Sequence, residues 1–86
     1  MPVTAIAFHG TVAISKLKAY YGSSDASTLS ASRTFFCPKC RLTFVAVFKN
    51  CADPCKENRL EELRNIVQED CINGLHQEEY VLSEPE

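Results

Sequence analysis

The residues of this chain best suited to chemistry are its five cysteines, at positions 37, 40, 51, 55 and 71. Four of them form two short-spaced pairs, Cys37-Pro38-Lys39-Cys40 and Cys51-Ala52-Asp53-Pro54-Cys55, with ten residues between the pairs. Tetrahedral zinc takes four soft ligands at about 2.3 Å, and two such pairs supply them at little cost in chain entropy. The spacing therefore predicts Zn2+ held by Cys37, Cys40, Cys51 and Cys55. Four protein ligands close the coordination sphere and leave no place for a reacting water, so the expected ion is structural. Cys-Pro-x-Cys also has the form of a redox dithiol, but the β-α-β context of a thioredoxin-like site is not legible around it. An odd cysteine count without an export signal argues against a disulfide framework. Cys71 falls on the apolar side of a C-terminal helix and reads as a small core residue. Its alternative is to replace Cys51 or Cys55 as a ligand; His9 and His76 each read as a surface or turn residue, with His76 also standing as a substitute fourth ligand.

These side chains have to be carried by secondary structure, and the patterning predicts an α+β domain. Val3–Phe8 and Thr11–Ile14, separated by His9-Gly10, read as an N-terminal β-hairpin. Ser15 is placed to cap a short helix over Lys16–Tyr21 that stops at Gly22. The small polar residues of Gly22–Ser32 read as a connecting loop, the best candidate for a mobile segment. Arg33–Phe36 and Leu42–Phe48 flank the first cysteine pair as strand, knuckle, strand, the start of a zinc ribbon. Arg41 to Asn50 fully extended would span about 33 Å, which is too far for four sulfurs to meet. Either the run bends near Val45–Val47, or the second pair comes from another chain and the protein is a homodimer. Asp53-Pro54 reads as a helix start, with Asp53 as the cap. Leu60, Leu63, Ile66, Val67 and Cys71 form its apolar stripe, and Lys56, Glu57, Arg59, Glu61, Glu62 and Arg64 its wet side. Asn73-Gly74 ends it, and Tyr80–Leu82 could add an edge strand. Residues 1–82 are thus expected to form one zinc-binding domain, followed by a flexible acidic tail, 83–86.

Ala5-Ile6-Ala7, Gly10, Val12, Ile14 and Leu17, a polar spacer, then Phe36-Cys37-Pro38-x-Cys40 and an apolar strand carry a resemblance. Over roughly residues 5–50 the chain resembles the zinc-ribbon front end of CoiA-like competence proteins. That resemblance implies a DNA-associated accessory module without the nuclease that follows it in such proteins. The family's zinc module commonly closes with histidines, where this chain has Cys51 and Cys55.

The chain has 86 residues and no uninterrupted apolar run long enough to cross a membrane, and its first residues lack the basic start of a secretory signal. The expectation is a single cytoplasmic domain. Residues 32–64 carry seven basic and four acidic side chains, whereas residues 65–86 carry six acidic and no basic ones. No Ser-His-Asp, paired-acid or phosphate-loop constellation is present, so an enzyme is not expected. The sequence instead predicts a protein-interaction module acting on a larger protein or protein–nucleic-acid complex. One form of that role is a phage or mobile-element inhibitor whose acidic end covers the basic groove of a host nuclease system. The alternative is direct binding of single-stranded nucleic acid: Arg33, Lys39, Arg41 and Lys49 would pair phosphates while Phe35, Phe36, Phe44 and Phe48 stack on bases. A net charge of −2 works against that second reading.

Overall fold

The computed structural model describes residues 3–10, 13–21 and 32–83, except for the side chain of Tyr21. In chain order the elements are β1 (Thr4–His9), α1 (Ala13–Tyr21), β2 (Ser32–Cys37), β3 (Leu42–Lys49), α2 (Asp53–Ile72) and β4 (Glu79–Leu82). The four strands form one antiparallel sheet in the order β2-β3-β1-β4. The α+β class expected from the sequence is what the chain adopts.

The sheet's centre follows from apolar content. In β1, Ala5, Ile6, Ala7 and Phe8 are all buried, and in β3 Phe44, Ala46, Val47 and Phe48 are. A strand buried on both faces needs cover on both. On one face α2 packs Leu60, Leu63 and Val67 over Ala5, Ala7, Phe35, Phe44, Ala46 and Phe48. On the other, Ala13, Leu17 and Tyr20 of α1 cover Ile6, Phe8 and Val47. The Tyr20 hydroxyl donates to the Thr4 carbonyl at 3.1 Å, tying α1 to the start of β1.

Four local expectations change. The N-terminal hairpin does not form as predicted, because Ala13 and Ile14 belong to α1. β1 instead pairs with β3 from Thr4↔Lys49 to His9↔Phe44 and with β4 from Ala5↔Leu82 to Phe8↔Glu79. A doubly apolar strand gains more from being paired on both edges, by the eight-residue β3 and the four-residue β4, than from one four-residue partner. Ser15 accordingly lies inside α1 and does not cap it. β3 does not bend at Val45–Val47, since those residues pair with β1 on one side and β2 on the other. Arg59 is not on the wet side of α2: it is 6% exposed. Its guanidinium donates to Glu62 at 2.7 Å and to the Ser83 carbonyl at 2.5 Å, satisfying its charge at the end of β4.

The boundaries of α2 lie close to their sequence signals. The helix begins at Asp53 with Pro54 in its first turn; Ala52 is the cap residue, and the Asp53 carboxylate pairs with Lys56 at 3.3 Å. It ends at Asn73 and Gly74, the latter at φ +69°, where glycine carries no Cβ penalty. The edge strand expected at Tyr80–Leu82 is β4, lying against β1. The connector 22–31 and the terminal residues 84–86 lie outside the described residues. No helix among the described residues is long and apolar enough to cross a membrane.

Candidate metal centre

The β2–β3 turn is built around the first cysteine pair. Cys37 is the last residue of β2 and is 1% exposed. The Arg41 N–H donates to the Cys37 carbonyl at 2.8 Å and closes the turn, and Arg41 enters β3 at φ +61°, a left-handed conformation. Cys40 lies within this turn, half-buried. Cys71 reaches the same place from the last turn of α2. The Cys37, Cys40 and Cys71 sulfurs all lie within 4.8 Å of one another.

Two element lengths account for this convergence. From Leu42 to Lys49, β3 carries the chain about 24 Å away from the turn at ~3.4 Å per residue. From Cys55 to Cys71, α2 carries it about 24 Å at ~1.5 Å per residue. With the helix laid back across the sheet, its end, and not its start, meets the turn. Cys51 and Cys55 therefore do not join the expected ligand set. They flank the start of α2 and form a disulfide with their Cα atoms 5.6 Å apart, a separation that suits the bond. That pairing also departs from the expectation of reduced cysteines. It arises because the extended chain at Ala52 leads Cys51 into the start of α2, within bonding reach of Cys55 in the first helical turn. Cys71 had a packing role in the sequence reading; the near-equal spans of strand and helix were the signal that could have moved it into the site.

The three sulfurs fit a soft cation. At about 2.3 Å from one ion in tetrahedral geometry, sulfurs stand about 3.8 Å apart, so a contraction of about 1 Å at most brings them into place. Burial raises the Cys37 thiol, but N–H groups of Cys40 and Lys39 point at its sulfur, the Cys40 and Cys71 side chains assist, and the net shift is downward. Burial and the facing Cys37 and Cys40 sulfurs push the Cys71 thiol up to about 11. The two thiols are thus shifted in opposite directions, because hydrogen bonds and negative charge on one sulfur oppose ionisation of the next. A cleft of about 150 Å3 lined by Cys37, Pro38, Lys39, Gln68 and Ile72 borders the cluster at Cys37.

Aromatic and polar groups frame the site's inner side. Phe35 stacks on Phe44 at 5.3 Å, and Phe44 meets His76 edge-on at 5.7 Å and His9 at 5.5 Å. The two imidazoles stack with centroids 6.4 Å apart. His9 Nδ1 and His76 Nε2 are buried without a hydrogen-bond partner among the described residues. Neither histidine is the surface residue the sequence suggested.

The residues of the nucleic-acid reading do not form one patch. Lys39 and Arg41 lie exposed at the turn, while Lys49 ends the far side of β3, over the Tyr20 ring at 5.8 Å. Arg33 pairs with Glu57 at 3.5 Å. Phe35, Phe44 and Phe48 are buried; of the four phenylalanines Phe36 alone is exposed. No family model, curated protein or solved structure matches the chain.

Proposed function

We propose that the chain is a small non-enzymatic binding domain whose fold is fastened by a structural zinc ion on Cys37, Cys40 and Cys71. The observation that carries this reading is the convergence of three thiols, from a strand end, a turn and a helix end, within 4.8 Å. Soft thiolate donors favour Zn2+ over hard cations, and such sites contribute folding free energy of about 10 kcal/mol. In an 86-residue chain that is comparable with total stability. The ion would tie α2 to the β2–β3 turn, cross-linking the helix and sheet layers.

The role on a larger protein or protein–nucleic-acid complex belongs to the same proposal, with the acidic stretch from Glu69 onward supporting a basic partner surface. Direct stacking on single-stranded nucleic acid draws less support, because three of its four aromatic platforms are core residues. The test is elemental analysis with native mass spectrometry on the purified chain. One zinc per chain is expected, retained when Cys51 and Cys55 are both changed to serine and lost when Cys37 and Cys40 are. Metal-free protein with unchanged heat resistance after chelator dialysis would overturn the proposal.

A further inference from the structure

Three thiolates leave one position of a tetrahedral zinc site to be filled, and this inference rests on the zinc reading just given. We infer that His76 Nε2 is the fourth ligand, making a Cys37–Cys40–Cys71–His76 centre for Zn2+. Four observations support it. His76 follows Cys71 by five positions, so the helix end supplies a C-x4-H pair opposite the C-x2-C pair of the turn, within the x3–5 spacing seen where helix-borne ligands complete zinc sites. Its Nε2 atom is buried and unpartnered among the described residues, a costly state that a metal bond relieves.

The segment that carries it is tied to β4 and to the end of α2, which also bears Cys71. The Gln77 N–H donates to the Tyr80 hydroxyl at 3.1 Å. Asp70 of α2 accepts from the Gln77 side-chain amide at 3.4 Å, the tie to the helix end. His9 is the other imidazole with an unpartnered nitrogen, but it sits on β1, two strands from Cys37 in the sheet order. His76 Nε2 stands outside the 4.8 Å sulfur set, so ligation requires its ring to swing from Phe44 toward the sulfurs. Cys3His is a closed coordination sphere, consistent with a structural role.

The experiment is Co2+ and Zn2+ titration of the full chain, read by d–d absorption and by competition with a chromophoric chelator. Wild type is expected to give a tetrahedral spectrum of three sulfurs and one nitrogen. His76→Ala should lose at least about 10-fold in affinity and shift the d–d bands as water replaces imidazole. His76→Cys should recover affinity and add sulfur-to-cobalt charge-transfer intensity. His9→Ala should match wild type. On Zn2+ addition to wild type, the 15N resonance of His76 Nε2 should move while that of His9 does not. A wild-type spectrum and affinity in His76→Ala, or no added thiolate intensity in His76→Cys, overturns the assignment while leaving the three-cysteine site standing. Absence of any Co2+ binding by wild type overturns both.

Discussion

Changing Cys71 to serine separates a metal centre from three thiols that merely pack together. Serine is close in size and Cys71 is only half-buried, so without metal the substitution costs no more than about 1 kcal/mol. With free zinc held near 100 times the wild-type Kd, the bound ion adds about 2.7 kcal/mol to the folded state. Loss of one thiolate that weakens binding about 100-fold brings the same zinc concentration down to the variant's own Kd, where it adds about 0.4 kcal/mol. The zinc-dependent gap of about 2.3 kcal/mol corresponds to roughly 9–18 °C in Tm for a domain of this size. The control is Cys51→Ser with Cys55→Ser. Its disulfide spans a sequence separation of four, so its loss costs about 2 kcal/mol by loop-closure entropy, but equally with and without zinc. The assay is thermal unfolding followed by circular dichroism, in buffered free zinc and again with chelator. A Cys71→Ser variant that keeps the full zinc increment refutes the argument, as does a double variant that loses it.

Two further substitutions test the frame around the site. Arg59→Ala should destabilise by about 2 kcal/mol in urea unfolding, because it removes charge-assisted bonds to Glu62 and the Ser83 carbonyl, and amide exchange in β4 should accelerate. Tyr80→Phe should cost about 1 kcal/mol by leaving the Gln77 N–H without its acceptor. Its pH dependence has a definite sign. Burial first, and Asp70 and Cys40 after it, raise the Tyr80 hydroxyl above 10.0 in the fold, so the unfolded chain loses that proton first. Stability should fall as pH climbs through 10.0 in wild type, and less steeply in Tyr80→Phe, as measured by urea midpoints across that range.

Local signals were legible wherever one residue type decides the geometry. Cys37-Pro38-Lys39-Cys40 marked the β2–β3 turn, and Asn73-Gly74 marked the end of α2. The stripe Leu60, Leu63 and Val67 named the buried face of the helix. What failed depended on long-range pairing. Ala13 and Ile14 look as β-prone as Ala5 and Ile6, but only β1 is claimed from both sides by β3 and β4. The bend assigned to Val45–Val47 came from assuming that neighbouring cysteine pairs share an ion; a straight β3 separates them instead. Arg59 was read as wet because a charge on a helix is usually solvated, and its acceptor, Ser83, lies 24 positions along the chain.

The position of β1 has a consequence for synthesis. This strand is apolar on both sides, yet its last residue, His9, emerges 40 residues ahead of Lys49, the partner of Thr4, and further still ahead of Leu82, the partner of Ala5. At translation rates of about 5–20 residues per second it waits roughly 2–8 s with nothing to pair against. During that interval its exposed ribbon is the most adhesive part of the nascent polypeptide, and an early hold by a chaperone would protect it until β3 arrives.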